Sequence, residues 1–199
     1  MSAVKKYEEF MKAHSVPKDA PKDAIKTNAR IPSKAGCKEQ VYGGEYNIPD
    51  EKYEEFLNIY YKYCIEGGKD EFLTEIQRED SAPILVDIDL KYSSEIIQRI
   101  HTKDHIDDLV SLYLVVLKDI YQFDETPFYI FVMEKDEVNQ VDEGLTKDGI
   151  HLIIGIKASR AVQMHLRTKV MEKIGTMWKL PITNTWDQVF DSSISSGNT

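Results

Sequence analysis

Apolar positions along the chain follow two periods. Four stretches repeat every three to four residues, and four shorter ones are continuous or alternating. The first helical stretch is 2–14, where Val4, Tyr7, Phe10 and Met11 share a face and Ser2 can cap the start. From there to Gln40 the chain is rich in Lys, Pro and Ala and has no period, which predicts a loop lying over a surface. Residues 42–48, with Gly43-Gly44, predict a turn or short hairpin. Asp50 then opens a helix over 51–65 as its N-cap, with Gly67 past its end. Tyr53, Phe56, Leu57, Tyr60 and Cys64 form the core face of that helix. Residues 84–90, ILVDIDL, read as a strand carrying two aspartates. An apolar helix over 107–121 and a strand over 128–133 follow, and then an acidic loop over 134–148 with 6 acidic and 2 basic groups. A third strand spans 149–156. Ser159 caps a helix to about residue 174, closed by Gly175. Residues 188–190 predict a short fourth strand ending at Asp191.

From residue 84 the order is therefore β, α, β, β, α, β. This predicts an α+β fold: a split β-α-β sheet of the RNA-recognition type with helices on one face, plus a small N-terminal helical and loop unit. The expected division is 1–40, a helix and basic arm, and 41–199, the main domain. Composition adds limits. With 42% hydrophobic and 30% charged residues, the 199-residue chain can bury a core and is not a disordered type. A net charge of −9 argues against a surface that is nucleic-acid footprint throughout, but leaves room for a local basic groove. The charge is uneven: residues 1–40 carry 9 basic and 5 acidic groups, a net +4, and the rest carries −13. Cys37 and Cys64 make neither a disulfide framework nor a zinc site, so a reduced intracellular setting is expected. No apolar run approaches the roughly 20 residues of a membrane span, and the N-terminus does not read as a signal peptide.

The chemistry-bearing positions are few. Alternation along a strand puts Asp87 and Asp89 on one face and Val86 and Ile88 on the other. Their Cα atoms lie about 6.5 Å apart, a separation from which both carboxylates can reach a metal pair about 3.5–4 Å across. Two like charges in an apolar strand are costly without a cation between them, and oxygen donors suit Mg²⁺ or Mn²⁺. A solvated strand end would carry the same pattern. His151 lies between Ile150 and Leu152 and could face the same side of the sheet to meet a phosphate; a core histidine bonded to a carbonyl is the alternative. Asp191 closes a short apolar run, with Asp187 as a competitor for any role assigned there. Residues 157–179 carry a net +5, which makes Arg160, Arg167, Lys169 and Lys173 candidates for contact with a nucleic-acid backbone unless they form a solvated helix face. The N-terminal arm, with Lys34 and Lys38, is a second candidate for such contact or for a partner subunit.

Order and spacing unite these signals. Asp87-Ile88-Asp89 is followed 64 residues later by Gly149-Ile150-His151, and 40 residues after that by Phe190-Asp191. In this the chain resembles the archaeo-eukaryotic primase superfamily, whose motifs are DxD, small-x-His and hydrophobic-Asp. The wording VDIDLKY, KDGIHLII and VFDSSIS is similar to the primase domain of primase–helicases of nucleocytoplasmic large DNA viruses, over about residues 25–195. The resemblance implies a nucleotidyltransferase, a DNA primase domain using Mg²⁺ or Mn²⁺. Asp87, Asp89 and Asp191 would be its catalytic metal ligands. His151 would contact the incoming triphosphate, with Lys147 a second phosphate contact. It implies a single-stranded DNA template, nucleoside triphosphates, a C-terminal helicase domain of the same chain, and a homo-oligomer in the full-length protein. The setting would be the host cytoplasm or a viral replication factory. Ending at Thr199, the chain looks like an N-terminal fragment of a longer polypeptide. The competing expectation is a non-catalytic module of a replication protein for nucleic-acid binding or oligomerisation. A rolling-circle endonuclease would need a second histidine beside His151-Leu152-Ile153, which is missing.

Overall fold

The structure, a computed structural model, describes residues 2–33, 40–77, 80–141 and 144–195. The chain forms two compact units, Met1–Gln77 and Arg78–Asn198. The boundary expected at residue 40 falls inside the first of them. Lys34, Lys38 and Cys37 lie outside the described residues.

In the first unit, α1 (Ala3–Ala13) is capped by Ser2 and buries Tyr7, Phe10 and Met11. Strands β1 (Asn28–Arg30), β2 (Gly44–Tyr46) and β3 (Leu73–Glu75) form an antiparallel sheet in the order β2–β1–β3. The stretch read as a surface loop thus supplies the central strand. Three residues are too few for alternation to register, and the strand forms because both of its edges are paired. Helix α2 (Asp50–Tyr60) runs on into a π-helical turn, Tyr61–Ile65. Pro49 is its N-cap and Asp50 is its first residue, where a carboxylate suits the positive end of the helix dipole. Phe56 packs among Phe10, Tyr53 and Tyr60. Leu57, expected in the core, is exposed.

The second unit carries the split β-α-β order. Strand β4 (Ala82–Ser93) leads to α3 (Lys103–Ile120), then β5 (Ile130–Glu134), β6 (Asn139–Val141), β7 (Leu145–Ala158) and α4 (Arg160–Met177). The long β7 lies between β4 and β5, antiparallel to both, and β6 pairs with its first residues. The anticipated acidic loop is therefore partly a strand. Two short turns close the described chain, α5 (Trp186–Val189) and α6 (Ser192–Ser195). The expected fourth strand is reduced to one antiparallel bridge, Phe190 to Ile88 on the outer edge of β4.

Alternation decides the layers. Val86, Ile88 and Leu90 of β4, with Ile150, Leu152 and Ile154 of β7, are buried against Leu109, Tyr113 and Leu117 of α3 and Leu166, Val170 and Ile174 of α4. The odd-numbered positions of both strands face the other way, and the helices leave that face open. Helix α4 runs through Gly175 rather than stopping there. The glycine serves packing: a Cβ at that position would lie 3.0 Å from Trp186 Cδ1. No helix among the described residues is long and apolar enough to cross a membrane.

Candidate active site

The open face of the second unit is a grid of cross-strand rows. The β4–β7 register puts Asp87 opposite His151 and Asp89 opposite Gly149, and the β5–β7 register puts Met133 opposite His151. His151 Nε2 lies 3.0 Å from Asp87 Oδ1. The approach is too bent for an aligned hydrogen bond, so this buried carboxylate oxygen keeps no well-directed donor. The Asp87 carboxylate holds the His151 imidazole above its ordinary pKa, against the opposing effect of partial burial.

Asp191 joins the row from the far edge. Its N–H donates to the Asp87 carbonyl at 3.0 Å, next to the Phe190–Ile88 bridge. Phe190 is buried in the core, so alternation turns Asp191 toward the face of Asp87. Its carboxylate accepts from Ser193 N–H and Ser193 Oγ–H, both at 2.8 Å. Two motifs thus meet on adjacent strands, and the third joins them along the outer edge of β4. Among the described residues, however, no three His, Cys, Asp or Glu side chains converge as a ready-made metal-ligand set. The donors still suit a hard divalent cation: carboxylate oxygens, with Asp87 Oδ1 buried and lacking an aligned proton.

The segment after α4 secures the outer edge of β4. Asn184 Nδ2–H donates to Asp89 O at 2.9 Å, and its Oδ1 accepts from Lys91 N–H at 3.2 Å. Arg167 is buried, and its guanidinium donates to Phe190 O from Nε (2.9 Å) and Nη2 (2.6 Å). Nη2 also reaches Asp187 O and Asp187 Oδ1, both at 2.8 Å. This overturns Arg167 as a template contact: its charge is spent on holding the Phe190–Asp191 backbone. It also removes Asp187 as a competitor for the role of Asp191. Lys169 and Lys173 are exposed and Arg160 is half-buried, all on α4. That helix packs on the core face, so these three are not brought to the Asp87–His151 row.

Lys147 shares the open face, opposite Lys91. A cation that sequence reading passed over, Lys135, lies closer to the row. A Cβ at Gly149 would be 3.2 Å from Ile88 O and 3.4 Å from Lys135 Cε. The small residue of the small-x-His motif therefore leaves room for a lysine beside Asp89. Lys135 is held from behind. Asp148, fully buried on the helix side, takes Arg99 Nε–H and Nη2–H at 3.0 and 3.1 Å, and the same Arg99 Nη2 donates to the Lys135 carbonyl. His101 adds contacts to Asp148 at 3.2 Å and Glu134 at 2.7 Å. In sequence Asp148 is the last residue of the expected acidic loop, and nothing in the chain marks its partner 49 positions earlier.

Residues 37–199 match the family described as "C962R protein N-terminal AEP domain", AEP standing for archaeo-eukaryotic primase. A protein of Acanthamoeba polyphaga mimivirus named "Putative helicase L207/L206" is 30% identical over 155 residues, which is 76% of this chain and 16% of that protein. The chain thus spans about one sixth of the length of that relative.

Proposed function

The chain belongs to the C962R-type family of archaeo-eukaryotic primase domains, and from that premise we propose that it synthesises short primers on single-stranded DNA by nucleotidyl transfer, as the first part of a longer primase–helicase. The observation that carries this reading is the meeting of three distant motifs on one open sheet face: His151 at 3.0 Å from Asp87, and Asp191 hydrogen-bonded to the Asp87 backbone.

Asp87 and Asp89, with Asp191 once its carboxylate turns from Ser193, would hold Mg²⁺ or Mn²⁺. When bound, such ions lower the pKa of an attacking 3′-hydroxyl and neutralise the triphosphate and departing pyrophosphate. The protein's own groups do the rest. His151 donates Nε2–H to a triphosphate oxygen as the Asp87 carboxylate turns to its cation. Lys135, beside Gly149, and Lys147, two residues further along β7, offer charge to the same phosphates. Arg167 and Asn184 touch no substrate. They position the backbone that bears Asp191 and Asp89, so that only the carboxylate side chains must turn when substrate arrives.

The test is template-directed incorporation of nucleotides by the full-length polypeptide with Mg²⁺ or Mn²⁺. Asp87→Ala with Asp89→Ala should abolish synthesis and leave template binding near its original strength. Continued synthesis by that variant overturns the assignment. The competing reading, a binding or oligomerisation module, draws on the Asp191 carboxylate being committed to Ser193. Template binding by the unmodified protein with no metal-stimulated incorporation would favour it.

A further inference from the structure

The open face carries a second kind of row beside the carboxylates. Strand β5 forms the edge of the sheet, and its odd positions point to the same side as His151. Phe131 lies opposite Ile153, and Met133 opposite His151. Tyr129, just before the strand, accepts Gly155 N–H at its carbonyl at 2.9 Å and so continues the row opposite a glycine. Tyr129 and Phe131 are 75% and 57% exposed, and their ring centroids are 6.3 Å apart with planes inclined at 37°. A glycine opposite Tyr129 means that no neighbouring side chain covers that flank. Two adjacent exposed aromatic rings on a strand edge gain free energy when an apolar surface covers them, and a planar one covers them best.

Their position says what would cover them. Along β5 and β7, one direction from His151 leads to the cations Lys135 and Lys147, and the other leads to Ile153, Phe131 and Tyr129. Phosphate-binding charge and apolar ring surface thus flank the carboxylates on opposite sides. With those cations serving the incoming triphosphate, the ring side is left to the bases of the strand that this nucleotide must meet. The cations of α4 lie on the helix face, so the template needs another platform on this side.

We propose that Tyr129 and Phe131 form a base-stacking platform on which successive bases of single-stranded DNA rest beside the catalytic row. This deepens the primase reading and rests on it for the identity of the strand. The rings stack on bases without reading their edges, so the platform is tolerant of sequence.

The experiment is equilibrium binding of the chain, by fluorescence anisotropy at fixed salt with EDTA, to a labelled oligothymidylate and to an abasic oligomer of equal length and charge. Phe131→Ala and Tyr129→Ala should each weaken oligothymidylate binding by about 5- to 100-fold. Binding of the abasic oligomer should stay unchanged, so the preference for bases collapses. Both residues are exposed, so the fold should tolerate the changes, and Phe131→Trp and Tyr129→Phe should keep the preference. An unaltered ratio of the two affinities in both alanine variants overturns the platform, as does an equal loss toward both oligomers. EDTA keeps this outcome separate from catalysis. Loss of synthesis in Asp87→Ala with an unaltered ratio in both alanine variants sinks the platform and leaves the primase reading standing. A collapsed ratio in a protein that makes no primer does the reverse.

Discussion

Replacing Arg167 by alanine should cost this protein a large part of the stability of its second unit. The magnitude follows from what the guanidinium holds. Two of its N–H groups meet the Phe190 carbonyl at 2.9 and 2.6 Å, and a buried acceptor that loses charged donors costs about 1.5–3 kcal/mol. Removing the buried side-chain stem adds about 1–2 kcal/mol of lost packing. The ion pair itself adds little. Asp187 is 76% exposed, and a pair of that kind contributes about 0–1 kcal/mol. The sum is about 2.5–6 kcal/mol for Arg167→Ala, against about 0.5 kcal/mol for Asp187→Ala. Domains of this size are stable by only about 5–15 kcal/mol. Urea unfolding followed by tryptophan fluorescence is the natural assay, because Trp178 and Trp186 both belong to the second unit. With a slope of about 2 kcal/mol per molar urea, the midpoint should fall by roughly 2 M. Primer synthesis should also drop, since the segment that bears Asp191 loses its anchor. The reasoning fails if Arg167→Ala costs under about 1 kcal/mol, or if Asp187→Ala costs as much. It also fails if Arg167→Ala loses only template affinity while stability is untouched.

Two further outcomes follow from the same geometry. An NMR titration should find His151 protonated to higher pH than the ordinary histidine value of 6.5, and Asp87→Asn should bring it back down. Because the folded pKa is raised, the pair's small stabilisation is fully present below pH 6.5 and fades as pH rises through the higher folded midpoint. A midpoint unaffected by Asp87→Asn would refute the pairing. Gly175→Ala separates packing from propensity. Helix propensity alone predicts a gain of about 1 kcal/mol, whereas a Cβ at 3.0 Å from the Trp186 ring predicts a net loss of about 1 kcal/mol in urea unfolding.

Much of the architecture was legible because burial leaves a period. The alternation in 84–90 separated Asp87 and Asp89 from Val86 and Ile88 before any partner strand was known. Apolar repeats located both long helices, and Ser159 marked the start of α4. The spacing of the three motifs carried the family resemblance. Readings failed where a residue's role depends on something distant. Strand β1 has three residues and no period, and exists because two other strands pair with it. Gly175 has the identity of a helix end, yet α4 continues through it to Met177, and Trp186 occupies the space a Cβ would take. Arg167 looked like surface charge in a basic stretch, but a carbonyl 23 residues later takes its donors.

By itself the sequence determined which side chains share a strand face and which family the motifs resemble, because alternation and motif spacing are local properties of a chain. Only the tertiary structure decided which strands adjoin. That choice sets His151 against Asp87, lays Phe190 and Asp191 along the edge of β4, and puts the basic helix on the face away from the carboxylates. The physical reason is that pairing across a sheet is made by contacts between residues tens of positions apart, whose cost and gain no local period encodes.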